Sequence, residues 1–167
     1  PKSAKTSKLY VRRPDKGEEL LFDPDTIKKD LQLLSFTIDN GGKRAAVLLS
    51  HDGSEVCEIR FIEIGTRKTM ADILYPVWSE FNFAFSPSDE TLLYTRMSKD
   101  KGEHDLLRNM CAMLHKMGTS SEKDVIIASA EKCPQLAMLP EQFPALSLSN
   151  DNAYLFLSVF SARYEFP

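Results

Sequence analysis

Phe83-Ala84-Phe85-Ser86-Pro87-Ser88-Asp89-Glu90-Thr91-Leu92-Leu93-Tyr94 contains a short alternating stretch, a turn and a continuous apolar run. Two other segments share this layout: Phe36-Thr37-Ile38-Asp39-Asn40-Gly41-Gly42-Lys43-Arg44-Ala45-Ala46-Val47-Leu48 and Leu146-Ser147-Leu148-Ser149-Asn150-Asp151-Asn152-Ala153-Tyr154-Leu155-Phe156-Leu157. Period-2 alternation puts Phe36 with Ile38, Phe83 with Phe85 and Leu146 with Leu148 on one face of a strand. The Ser, Pro, Asn, Asp and Gly residues between the runs tolerate left-handed backbone or bond their own main chain, so each can reverse the chain tightly. The sequence predicts three β-hairpins of one kind.

Phe36, Phe83 and Leu146 open these hairpins at intervals of 47 and 63 residues (83 − 36 and 146 − 83). Between the first two, Val56 to Ile64 alternates around Glu58, Arg60 and Glu63, stops at Gly65-Thr66, and leaves room for another short strand at Met70 to Leu74. The next interval repeats this with a strand at Leu107 to Met117, then Gly118-Thr119, then Val125 to Ala128; an insert at Lys99 to Asp105 accounts for its extra length. Arg108 to Lys116 could also form an amphipathic helix, but its place in the repeat favours a strand. Upstream, Lys8 to Arg13 and Glu18 to Phe22 read as two strands around the turn at Pro14 to Gly17, and Ile27 to Leu34 as a helical turn or linker. Four antiparallel strands every ~40–50 residues is the pattern of β-propeller blades. The expectation is an all-β, β-propeller-type chain, residues 1–167 forming about three four-stranded antiparallel blades. The approximate units are 8–34, 35–80, 81–144 and 145–167.

A balance of 21 Lys+Arg against 24 Asp+Glu, net −3, lacks the concentrated basic field that nucleic-acid binding needs. Apolar residues at 43% and charged ones at 27% are ordinary globular usage and exclude a disordered chain. Apolar runs such as Ala45 to Leu49 fall far short of the roughly 20 residues of a membrane helix, so no membrane partner is expected. Pro1 to Lys5 is basic but no apolar stretch follows, so it does not read as a signal peptide. The ends at Pro1 and Pro167 lead us to expect an excised piece of something longer.

Catalytic motifs are absent. The glycines at 17, 41, 42, 53, 65, 102 and 118 never bracket a serine as G-x-S-x-G, the strained turn that presents a hydrolase nucleophile. No phosphate-cradling glycine loop occurs, so no nucleotide cofactor is expected. Ser120 to Lys123 and Ser129 to Lys132 match S-x-x-K without companion motifs and read as chance. Cys57, Cys111 and Cys133 lack zinc-site spacing and read as free thiols of a reducing, cytoplasmic compartment, with a Cys111–Cys133 disulfide as the alternative. Asp23-Pro24-Asp25 reads as turn capping rather than a cation site, His115 as a hydrogen-bonding residue within its blade, and Trp78 as core. Neither a metal nor a catalytic residue is assigned.

In combination, Leu20 to Asp25, Glu58 to Thr66, Phe83 to Asp89, Leu92 to Arg96, and above all His115-Lys116-Met117-Gly118-Thr119 followed by Glu122 to Ile126, resemble the propeller domain of prolyl oligopeptidase-type (S9) serine peptidases. The likeness runs in order over about residues 8 to 160, although the family's usual Asp-Gly is missing from all three turns. The resemblance implies a propeller that covers the active site of a C-terminal α/β-hydrolase domain and limits substrates to short peptides, cleaved after proline. It also implies three substrate-cavity candidates: Phe81, and in the loop Phe160-Ser161-Ala162-Arg163, Phe160 and Arg163, with Phe160 standing where the family typically has arginine. Three blades leave open strand edges, so self-association is a further expectation. The alternative is a stand-alone propeller interaction module without enzymatic activity.

Overall fold

The strands follow from alternation and from what the turns do. The computed structural model describes residues 6–80, 83–98 and 106–161. Twelve strands are described: β1 (Leu9–Arg13), β2 (Gly17–Phe22), β3 (Leu31–Ile38), β4 (Arg44–His51), β5 (Val56–Glu63), β6 (Lys68–Trp78), β7 (Ala84–Phe85), β8 (Thr91–Arg96), β9 (Cys111–Lys116), β10 (Val125–Ala128), β11 (Gln142–Leu148) and β12 (Leu155–Ser161). Helical structure among the described residues is limited to 3-10 turns such as Pro24–Thr26, which Asp23 caps by accepting from the Asp25 amide. None is long and apolar enough to cross a membrane.

All pairing is antiparallel. β1 and β2 form a hairpin, β3-β4-β5-β6 a meander, β7-β8-β9-β10 a second meander, and β11-β12 a hairpin in continuous register from Gln142↔Ser161 to Leu148↔Leu155. The two meanders touch edge to edge through the single pair Val77↔Arg96. Arg108 to Lys116 is strand rather than helix over Cys111–Lys116. The linker expected at Ile27 to Leu34 is shorter, because β3 begins at Leu31, and the strand expected at Met70 to Leu74 extends over Lys68–Trp78.

The three hairpin turns share one hydrogen-bond pattern. The amides of Asp39, Ser86 and Ser149 donate to the carbonyls of Arg44, Thr91 and Tyr154, five residues on, at 2.9–3.0 Å. Those of Gly42, Asp89 and Asn152 donate back to the carbonyls of Asp39, Ser86 and Ser149 at 2.8–3.0 Å. The fourth residue of each turn is left-handed: φ is +64° at Gly42, +62° at Asp89 and +58° at Asn152. Glycine, aspartate and asparagine enter this region at least cost, which explains how the turn closes without Asp-Gly.

Alternation sorts the core. Along β4, Ala46 and Leu48 join Ile59, Phe61, Phe85, Leu92 and Tyr94 in the cluster between the two meanders. Ala45, Val47 and Leu49 point the other way, against Leu9, Leu21 and Phe22 of the first hairpin. On β8, Leu93 likewise turns toward Ala112 and Leu146, away from Leu92 and Tyr94. Each meander is therefore covered on two faces, which is why β4 reads as an unbroken apolar run. Phe83 and Phe85 are buried as their alternation implies, whereas Phe36 and Ile38 are 51% and 40% exposed. A bulge between Leu33 and Ser35 aligns Phe36 with Val47 and Ile38 with Ala45, on the face covered only by the two-stranded β1-β2 hairpin.

Candidate functional site

The chemistry-bearing side chains gather where one strand unit meets the next. The first cluster joins the β3–β4 turn to the β7–β8 turn. Asp89 Oδ1 accepts from the Asn40 backbone amide at 2.8 Å and from Asn40 Nδ2 at 2.6 Å, and Oδ2 accepts from the Gly41 amide at 2.8 Å. Asn40 Nδ2 also donates to the Ser86 carbonyl at 3.2 Å. A Cβ on Gly41 would stand 3.3 Å from Asp89 Oδ2, so glycine suits this close approach. Arg44 donates from Nε to the buried Asp39 at 2.9 Å and from Nη2 to the Asp89 carbonyl, with its guanidinium 5.7 Å from the Phe85 ring centroid. Partial burial pushes the Asp89 carboxyl up, but the Asn40 and Gly41 donors and the Arg44 charge outweigh it and hold it below its ordinary value.

The second cluster is buried. His115, on β9, has no exposed surface. Its Nδ1 lies 2.7 Å from Asp124 Oδ1, ahead of β10, and its Nε2 lies 3.5 Å from Asp72 Oδ2 on β6. Tyr94 donates to Asp124 Oδ2 at 2.7 Å, and the Gly118 amide donates to Asp72 Oδ2 at 2.6 Å. The Phe61 ring stacks on the imidazole at 5.7 Å. Burial alone would lower the histidine's pKa; Asp124 and then Asp72 outweigh it, so the imidazole stays protonated above its ordinary value. Burial, and then the neighbouring Asp124, push the Tyr94 phenol up. The His115 to Thr119 stretch thus forms a cross-link: it bonds within its own meander, as read from sequence, and also reaches the preceding one.

Neither cluster is a catalytic constellation. A nucleophile needs a base within hydrogen-bond reach and room for substrate, whereas both nitrogens of His115 face aspartates and its ring is sealed. A hollow of about 470 Å³ between β6 and the 3-10 turn Ser121–Lys123 is walled by Ile73, Tyr75 and Pro76 and reaches Ser121 and Glu122, and among the described residues its lining holds neither histidine nor cysteine. Among the described residues, no three His, Cys, Asp or Glu side chains are grouped to hold a metal ion. Cys57, Cys111 and Cys133 are free thiols, and burial pushes the Cys57 thiol up to about 11.

Of the three cavity candidates, Phe81 and Arg163 lie outside the described residues. Phe160 lies on β12, paired with Phe143 and 47% exposed. Trp78 is half-buried and packs against the core cluster of Met97, Met110 and Phe143, edge-on to Phe143 at 5.1 Å, with its indole nitrogen donating to Glu55 at 3.4 Å. Sequence reasoning missed Asp72, Asp124, Tyr94 and Asp89. Asp72 stands as an acidic residue inside an otherwise strand-like run, while Asp89, Tyr94 and Asp124 lie within the stretches Phe83 to Asp89, Leu92 to Arg96 and Glu122 to Ile126 that carry the family resemblance.

The sequence matches the family model "Prolyl oligopeptidase, N-terminal beta-propeller domain" over residues 2–165. One similar solved structure comes from work on two prolyl endopeptidases and the role of inter-domain dynamics in catalysis and specificity. It is 23% identical with a TM-score of 0.77, over 93% of this chain and 21% of that one. Another is prolyl oligopeptidase B from Galerina marginata bound to a 35mer hydrolysis and macrocyclization substrate, 21% identical with a TM-score of 0.70, over 87% of this chain and 20% of that one. Its apo form gives 20% identity and a TM-score of 0.68 over 90% of this chain and 22% of that one. The chain spans about a fifth of the length of these relatives. Two-faced meanders, a repeated turn and the family match converge, and the chain belongs to the prolyl oligopeptidase N-terminal β-propeller family.

Proposed function

We propose that this chain is the non-catalytic propeller portion of a serine-type, prolyl-specific oligopeptidase, where it covers the active site of an α/β-hydrolase domain and admits short peptides. The observation that carries this reading is the family match across residues 2–165. Two features support it: no G-x-S-x-G occurs in the sequence, and both polar clusters tie strand units together rather than present reactive groups. In this reading β1-β2 is the outer half of one blade, the two meanders are whole blades, and β11-β12 is the inner half of the next, giving about three blades' worth of strands. Phe81, Phe160 and Arg163 are assigned to the cavity side, the hydrolase domain is the partner of the propeller, and the exposed β12 edge is the place for self-association when the chain is isolated. The free thiols support a reducing, cytoplasmic compartment.

The test is hydrolysis of a fluorogenic Gly-Pro amide by the full-length protein that carries this chain, with the chain alone as control. Turnover by the full-length protein only, with long peptides cleaved more slowly than short ones, is expected. No turnover by either would overturn the peptidase reading in favour of an interaction propeller, and activity in the chain alone would overturn the assignment of the chemistry to another domain.

A further inference from the structure

The clasp between the first two turns holds an Asn-Gly pair, and its geometry controls what that pair can do. In a flexible chain the nitrogen of a residue after asparagine attacks the side-chain carbonyl carbon, and glycine, lacking a Cβ, hinders this least. Asn40 and Gly41 are both exposed, at the tip of a turn. Their three nitrogen donors are occupied: both backbone amides donate to the Asp89 carboxylate, and Asn40 Nδ2 bridges Asp89 Oδ1 and the Ser86 carbonyl. A carboxylate against the Gly41 N–H opposes loss of its proton, and the two acceptors on the neighbouring turn hold the side-chain amide in place, so it cannot turn freely to meet the attacking nitrogen.

We infer that Asn40 is a spontaneous deamidation site of this protein and that Asp89 sets its rate by holding it closed. When the clasp opens, the Gly41 nitrogen loses its proton and forms a bond to Asn40 Cγ, and Nδ2 leaves as ammonia with a proton from water. Water then adds to one of the two succinimide carbonyls, breaking its bond to nitrogen and leaving aspartyl or isoaspartyl at position 40. No oxidant or reductant is needed. The product carries a carboxylate where a donor had stood 2.6 Å from Asp89 Oδ1, so like charges meet and the clasp does not re-form. The modification thereby loosens the first meander from the second at this turn.

The measurement is the deamidated fraction against time in the intact protein at mildly alkaline pH, by mass spectrometry of tryptic peptides. Asn40 is the only asparagine in the peptide spanning 30–43, and Asn109 the only one in 109–116, where it serves as the comparison site outside the clasp. Reaction proceeds from the opened state, so losing charge-assisted contacts should raise the Asn40 rate in Asp89→Ala and in the isosteric Asp89→Asn by about tenfold or more, with Asn109 unchanged. Wild-type protein should deamidate at Asn40 much more slowly when folded than in denaturant, and Asn40→Asp should open the clasp without added time. Equal folded and denatured rates, an unaccelerated Asp89→Asn, or acceleration matched at Asn109 would each overturn the inference.

Discussion

β4 and β12 occupy the same place in two copies of one hairpin, and both are apolar runs, yet their surroundings are opposite. In β4, Ala45 to Ser50 are all buried, because odd residues face the first hairpin and even residues face the second meander. In β12 every residue is exposed, with Phe156 at 54% and Phe160 at 47%. β4 is paired on both edges, with β3 and β5, and β12 only with β11 among the described residues, but edge pairing by itself leaves both faces of a strand open. Covering layers on both faces are what make the difference, and an apolar strand acquires its core role only when neighbours stand on each side.

This contrast can be broken by mutation. The largest effect is expected from a charge on β4: Leu48→Asp should cost more than about 4 kcal/mol by burying an unpaired carboxylate, whereas Phe156→Asp should cost less than about 1. Chemical denaturation of the two variants decides it, and equal losses would mean that β12 is covered in solution. Next comes the seam between the meanders. His115→Ala leaves Asp72 and Asp124 buried without their shared cation and should cost about 3–5 kcal/mol. His115→Ala combined with Asp72→Asn and Asp124→Asn should recover part of that loss, and no recovery would show that the ring's packing on Phe61 matters more than its charge.

The pH dependence sharpens the same point with a smaller effect. The native state holds the His115 proton above the ordinary value of 6.5. Its contribution is therefore complete below that value and is lost as pH rises through the higher native one. Stability of the wild type should decline over this window, and the decline should vanish in His115→Leu. Smallest is the thiol chemistry. Cys57, buried on β5 with its pKa near 11, should stay unreactive toward thiol reagents at mildly alkaline pH until the chain unfolds. Prompt labelling of Cys57 would show that the inter-meander core opens readily.

Much of the fold was legible because strand and turn signals are local. The turn residues of Asp39, Ser86 and Ser149 carry their own hydrogen-bond partners a few positions away, so three unlike sequences announced the same turn. The site was far less legible. Asp72 meets His115 across 43 residues of sequence and Asp89 meets Asn40 across 49, and no spacing rule links such positions. Phe36 and Ile38 do share one face, as their alternation says, but the bulge and the narrow first hairpin decided that this face stays open.

Strand content, the repeated turn and the missing nucleophile were therefore determined by the sequence itself, since each depends on side chains within a few residues of one another. Which apolar strands are buried, which aspartates share His115 and which carboxylate guards Asn40 were decided only by the stacking of one strand unit on the next, because burial and ion pairing depend on residues that the chain brings together only after it has folded.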